Sequence, residues 1–148
     1  INLQHLWKMT DDTGIFQHAS YTIPDRMHGY TTDDNARAAI VALKYWKLFR
    51  EDDALNLLEI YLSFLNHAYD ERKGQVKNFL SYDRKWKDSK VQEDSFGRFI
   101  WGFGNMISGD VPKEISNFAI QKFREAFSNA QILNSPRSKA FCILGGIH

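Results

Sequence analysis

Apolar side chains recur along this chain with the 3.6-residue period of helix faces. The predicted helices are 3–9, 33–49, 53–69, 93–108, 113–129 and a last one that begins near residue 135. Two polar connections lack this period, and each contains a short extended piece, at 16–23 and 76–82. The pattern predicts an all-α protein of antiparallel helical hairpins, with at most a short β-hairpin.

The predicted helices differ in how much of their surface is apolar. Segment 93–108 is apolar almost all round, which predicts burial on most sides. Segment 33–49 and the last helix are also broadly apolar, whereas 53–69 and 113–129 are amphipathic. Such alternation predicts inner helices sandwiched by outer ones, as in a two-layer ring of helical hairpins. We expect residues 1–148 to form part of a single domain of this kind.

The starts of the three broadly apolar helices share a pattern that indicates an internal repeat. A polar residue stands at Asp33, Asp94 and Ser135, followed by a small residue three positions later and a cation four positions later. Repeated helices that begin alike bring their starts to one end of the layer. The residues predicted to share that end are His28, Asp33, Asp34, Tyr82, Asp94 and Arg98.

Composition narrows the function classes. The chain is 43% hydrophobic and 25% charged, which is enough for a packed core. Its 19 basic and 18 acidic residues form no basic run, so nucleic-acid binding is not expected. No apolar run approaches the ~20 residues of a membrane span. The only cysteine, Cys142, excludes an internal disulfide and favours a cytoplasmic location. The five histidines lack metal-ligand spacing and no phosphate-binding loop is present, so no cofactor is expected.

The densest polar cluster, at residues 24–37, leads directly into a predicted buried helix. It holds three carboxylates, two arginines, a histidine and a tyrosine within 14 positions. Polar groups at the mouth of a buried helix must be satisfied or face water, and a helix cap needs only one of them. The cluster therefore predicts a polar cleft. The alternative is that Asp33 or Asp34 caps the helix and Arg37 pairs with a carboxylate one turn earlier.

A second polar cluster at 81–86 is followed by Glu93, Asp94 and Arg98. Trp86 lies there among charged residues, and aromatic residues make up 14% of the chain. An aromatic ring beside carboxylates and arginines suits a sugar, whose apolar face stacks while its hydroxyl groups form hydrogen bonds. The alternative is that Trp86 packs over the hairpin.

Carbohydrate chemistry supplies the candidate roles. Cleavage of a glycosidic bond needs two carboxylates across the bond, and the candidate catalytic residues are Asp33, Asp34 and Asp94. The candidate substrate-binding residues are Arg26, His28, Tyr30, Arg37, Tyr82, Asp83, Trp86, Glu93 and Arg98. Sequence alone does not give the carboxylate separation, so retaining and inverting chemistry both stay open.

The combined motifs resemble a known bacterial domain family. They lie at 5–14, 17–19, 28–30, 33–37, 79–86 and 93–98. The family has an α/α-toroid fold, is similar to six-hairpin glycosidases, and is often joined to or encoded beside retaining glycosyltransferases. By this resemblance the chain would form a partial α/α toroid, with roughly two and a half of the six hairpins. The resemblance implies carbohydrate metabolism with a glycan as ligand. It also implies a central cleft lined by His28, Tyr30, Asp33, Asp34, Arg37, Tyr82, Asp83, Asp94 and Arg98.

Three functions are compatible with these patterns. The first is an enzyme domain of the glycoside hydrolase type. The second is a non-catalytic carbohydrate-binding or scaffold domain attached to a glycosyltransferase, and the third is a helical protein-interaction module. Because a full toroid needs more chain, we expect a fragment in which Phe141, Ile143 and Leu144 expose apolar surface. That surface would be covered by self-association or by the remainder of the domain.

Overall fold

The computed structural model describes residues 2–90 and 92–148. Within them the helices are α1 (Gln4–Lys8), α2 (Thr32–Phe49), α3 (Asp52–Ala68), α4 (Glu93–Ile107), α5 (Lys113–Phe127) and α6 (Pro136–Gly146), with a 3₁₀ turn at Ser128–Ile132. Each helix lies where the apolar period predicts it, with ends that differ by no more than two residues. The helix predictions are therefore confirmed.

The all-α fold class is wrong. An antiparallel sheet joins three strands in the order β1–β2–β5. Its strands are β1 (Phe16–Ser20), β2 (Ile23–Thr31) and β5 (Phe79–Leu80). A separate two-residue pair joins β3 (Tyr69–Asp70) to β4 (Gln75–Val76). The protein is thus mixed α and β rather than an all-helical toroid.

The apolar pattern of the sequence does not predict the sheet, because most of β2 is solvent-exposed. Only the last three residues of this nine-residue strand are buried, so no buried face imposes the alternation that marks a strand. The turn from β1 to β2 places Tyr21 at φ 57° and fully exposed. Two-residue hairpin turns usually have Gly or Asn at positions with positive φ, and this turn consists of Tyr21 and Thr22.

Helices α2 and α4 run parallel to each other. Gly102 of α4 lies against Ala36 near the start of α2, and Gly109 beyond its end lies against Leu43 further along α2. Helix α3 returns antiparallel to α2 after the two-residue connection 50–51. The parallel helices α2 and α4 thus alternate along the chain with the antiparallel helix α3.

Helix α6 extends this arrangement, because it is parallel to α4 and very close to it. Gly97 of α4 lies against Ser138 of α6, and Gly104 lies against Gly145 further along both helices. Glycine removes the side chain that would otherwise separate two helix backbones. The starts of α2, α4 and α6 therefore lie at one end, as the repeat predicts.

The core lies between these helices. Its largest fully buried side chains include Tyr61, Phe99, Phe103, Leu57, Leu58 and Ile100. On α6, Ile143 is 66% and Leu144 is 42% exposed, which confirms the prediction for those two residues. Phe141 is instead partly buried. In the described part of the chain, no helix combines the length and apolar character needed to cross a membrane.

Candidate functional site

Charged side chains from α2, α4 and α6 meet where these helices begin. We call the six residues Asp33, Asp34, Arg37, Asp94, Arg98 and Arg137 the charge array. On α2, Arg37 Nη2 lies 2.8 Å from Asp33 Oδ2 and 2.6 Å from Asp34 Oδ1. Arg98 of α4 reaches across with its Nε 2.7 Å from Asp33 Oδ1. The two oxygens of Asp33 therefore face two different arginines.

Asp34 also takes part in the cap of α2. The Thr31 hydroxyl accepts a hydrogen bond from the Asp34 backbone N–H at 3.0 Å and donates to the Asp34 carboxylate at 2.6 Å. The residue that caps α2 is thus Thr31 rather than Asp33 or Asp34, so that part of the alternative is wrong, whereas the expected i, i+4 pairing of Arg37 with Asp33 is present. Both features fix the carboxylates in place without removing them from solvent, because Asp33 and Asp34 keep 35% and 28% of their side chains exposed.

Asp94 joins the array to α6. Its carboxylate pairs with Arg137 and accepts a hydrogen bond from the Ser138 hydroxyl at 2.7 Å. The Arg137 guanidinium, above all, holds the pKa of Asp94 below its usual value. A carboxylate held ionised in this way is a poor general acid, because that role needs a raised pKa.

Two aromatic rings flank the array. The Arg98 guanidinium lies 3.9 Å from the centroid of the Phe141 ring, and Phe141 stacks on Trp101 with centroids 5.7 Å apart. The sequence reasoning missed Trp101, Arg137 and Phe141 as members of a site. A usable signal exists on α4, where Asp94, Arg98 and Trp101 follow the i, i+4, i+7 spacing of one helix face.

Glu93 serves a different purpose from the binding role predicted for it. Its carboxylate accepts hydrogen bonds from the backbone N–H of Asn134 at 2.8 Å and of Ser135 at 2.6 Å. These N–H groups, Ser135 first, lower the pKa of Glu93. Glu93 therefore ties the start of α6 to the start of α4, and does so best when ionised.

This tether predicts a pH dependence of stability. Because the folded-state pKa of Glu93 and of Asp94 is lowered, their stabilisation is present above their ordinary values and is lost as the pH falls through the folded values. We expect the thermal midpoint to drop between pH 7 and pH 3 by less in Glu93→Gln than in the unaltered protein, as measured by circular dichroism. Glu59→Gln, on the exposed surface of α3, is the matched control. An identical pH dependence in Glu93→Gln and the unaltered protein would contradict this role.

Three other candidate residues lie together on the sheet. The Arg26 guanidinium lies 5.4 Å from the Phe16 ring centroid and 6.0 Å from that of Tyr82. His28 Nε2 lies 3.5 Å from an Asp25 carboxylate oxygen. We call Arg26, His28 and Tyr82 the sheet cluster. Since β2 runs directly into α2 and pairs with β5, this cluster lies at the end of the helix layer where the charge array lies.

Two aromatic candidates pack in or against the core instead, Tyr30 fully buried and Trp86 partly buried. Tyr30 is 1% exposed, and its hydroxyl donates a hydrogen bond to Asp11 at 2.6 Å. Burial, more than the neighbouring Asp11, raises the pKa of Tyr30. Trp86 packs against Phe64 and His67, with ring centroids 5.9 and 5.3 Å away. For Trp86 the alternative of packing over the hairpin is thus the correct one.

Asp83 organises its own loop. It accepts a hydrogen bond from the Ser81 hydroxyl and pairs with Lys85 at 2.8 Å. Lys85 first, then Ser81, lowers the pKa of Asp83 to about 2. These contacts are local to residues 81–85, and they connect Asp83 to neither the charge array nor the sheet cluster.

The charge array forms a surface rather than an enclosed pocket. Side-chain exposure within it runs from 20% for Arg98 to 73% for Arg137. A groove of about 700 Å³ lies elsewhere, between the 3₁₀ turn and α6, where Phe127, Ile143 and Ile147 line it. The array can thus offer hydrogen bonds to a ligand that keeps part of its own surface in water.

A scan against protein-family models finds no match to this chain, and neither does a search of curated proteins. The family resemblance of the motifs stays a prediction.

Proposed function

We propose that this protein binds carbohydrate at the charge array and acts as a carbohydrate-binding domain. The observation that carries the proposal is the alternation of carboxylates and guanidinium groups beside the Trp101 and Phe141 rings. A sugar hydroxyl both donates and accepts hydrogen bonds, so it is best met by an acceptor and a donor side by side. Asp33 and Arg98 supply such a pair at 2.7 Å.

Preorganisation supports the same proposal. Each carboxylate of the array has a guanidinium partner, and Asp94 also has the Ser138 hydroxyl. Side chains held in this way lose little further conformational entropy when a ligand binds. The nearby rings add apolar surface on which the C–H face of a sugar can lie.

Binding is favoured over hydrolysis of the glycosidic bond. The candidate acid Asp94 has a lowered pKa because of Arg137, whereas a general acid needs the opposite shift. A protein-interaction module with scattered, solvated polar loops is also disfavoured, because three helices contribute to one continuous array. Attachment to a glycosyltransferase, suggested by the family resemblance, is compatible with a binding role.

The proposal is tested by screening the protein against a panel of mono- and oligosaccharides with saturation-transfer NMR. For the best ligand, we expect Asp33→Asn to weaken the affinity about thirtyfold, since a hydrogen bond to a charged group contributes on the order of 2 kcal/mol. Asp110→Asn is the matched control, because Asp110 pairs with Arg50 beyond the opposite end of α4. This variant should bind the sugar as tightly as the unaltered protein. No binding of any sugar at millimolar concentration, or equal losses in the two variants, would refute the proposal.

A further inference from the structure

Arg98 occupies the centre of the charge array. Its Nε lies 2.7 Å from Asp33 Oδ1, and its Cζ lies 3.9 Å over the Phe141 ring centroid and 5.5 Å from that of Trp101. Its side chain is only 20% exposed. In residues 2–90 and 92–148, its two terminal nitrogens, Nη1 and Nη2, have no hydrogen-bond acceptor, and neither nitrogen is shut off from solvent. The guanidinium is thus fixed on one face and at Nε, with its outer edge available.

Arg98 has no carboxylate to itself, although the three carboxylates of the charge array match its three guanidinium groups in number. Its close counter-ion, Asp33, is shared with Arg37, and Arg37 is shared in turn with Asp34. Asp94 is paired with Arg137 rather than with Arg98. Burial first, and then the charges of Arg37 and Arg137, lower the pKa of Arg98 despite the opposing effect of Asp33 and Asp94. A cation in that state gains more than an exposed one from an additional anion nearby.

We propose that the site selects acidic sugars, whose carboxylate or phosphate group accepts hydrogen bonds from Nη1 and Nη2 of Arg98. This inference rests on the proposed carbohydrate-binding function and narrows its ligand class. Two parallel N–H donors on a planar fork match the paired oxygens of a carboxylate or phosphate, and such charge-assisted bonds are stronger than neutral ones. The hydroxyl groups of the same sugar remain for Asp33 and its neighbours.

Phe141 adds to the selectivity by holding the fork in one orientation. The Arg98 Cζ lies 3.9 Å over the Phe141 ring centroid, and this close contact restricts the guanidinium, so its edge can meet an anion with little further ordering. Lysine in place of Arg98 would keep the positive charge but lose both the stacking plane and the paired donors. The variant Arg98→Lys therefore separates the geometry of the fork from its charge.

The test compares glucuronic acid, glucose 6-phosphate and glucose as ligands of the unaltered protein, by NMR titration at low salt. We expect at least one of the acidic sugars to bind about tenfold more tightly than glucose, with the preference shrinking as salt is added. Whichever of the two binds more tightly identifies carboxylate or phosphate as the preferred anion. Arg98→Lys should retain only part of the preference and Arg98→Gln none, whereas Arg50→Gln beyond the end of α2 should retain all of it.

The outcomes separate this inference from the proposed function. Equal binding of glucose and both acidic sugars would overturn the inference and leave carbohydrate binding intact. Failure of all sugars to bind, in this test and in the wider panel, would overturn both. An undiminished preference in Arg98→Gln, with a native circular dichroism spectrum, would remove Arg98 from the role. The ligand comparison on the unaltered protein needs no variant, so a variant that fails to fold does not block the test.

Discussion

Replacing Gly104 with alanine should destabilise the protein by about 3 kcal/mol, as expected when a buried contact is overpacked. A Cβ at this position would lie 2.2 Å from the Gly145 carbonyl oxygen and 2.6 Å from the Gly145 Cα. Both atoms belong to the backbone of α6, so α4 and α6 can relieve the overlap only by moving apart. Urea denaturation followed by circular dichroism measures the loss.

Gly102→Ala is the control for this substitution, since it lies two residues away on the same helix. A Cβ there would lie 3.5 Å from side-chain carbons of Ala36 and Leu65 and 3.7 Å from the Ala36 Cα, which is ordinary packing contact. Alanine is the better helix former by about 1 kcal/mol, so Gly102→Ala should be neutral or stabilising. If Gly104→Ala were as stable as Gly102→Ala, the close approach of α4 and α6 would be wrong.

The same substitution bears on the proposed site. Arg137 and Phe141 reach the charge array only because α6 lies close to α4. Under conditions where Gly104→Ala remains folded, its sugar affinity should therefore fall, while that of Gly102→Ala should not.

The helices were predictable because packing and local pattern agree there. Helix α4 buries nine of its residues, and the nearly continuous apolar run of 93–108 indicates this directly. The repeat at the starts of α2 and α4 also placed four members of the charge array, Asp33, Asp34, Asp94 and Arg98, at one end of the layer. The burial of α4 and the shared end of the helix starts could both be inferred from the sequence. They depend only on residues of one helix or on matching positions of similar helices.

The sheet and the partners across helices could not be predicted in the same way. Strand β2 carries Pro24, Asp25 and Arg26, residue types that seldom mark a strand, and tertiary pairing with β1 and β5 overrides that tendency. Arg137 escaped notice because the repeat assigned the cation position to Lys139. Which residue of α6 faces Asp94 depends on how the two helices are rotated, and a single sequence does not specify that rotation.

Gly29→Ala should also destabilise the protein by about 3 kcal/mol, because two costs combine at this position. Gly29 has φ +66°, where a side chain costs roughly 1–2 kcal/mol, and a Cβ would lie 2.2 Å from the Leu80 carbonyl oxygen of β5. The clash would separate β2 from β5 and disturb Tyr82 and the 81–86 loop.

Gly74→Ala is the matched control for Gly29→Ala. The φ of Gly74 is +62°, but the atoms nearest to a Cβ there belong to the Asn129 side chain, which can move. We expect Gly74→Ala to lose only about 1 kcal/mol in urea denaturation. Equal losses in the two variants would show that β2 does not pass so close to β5.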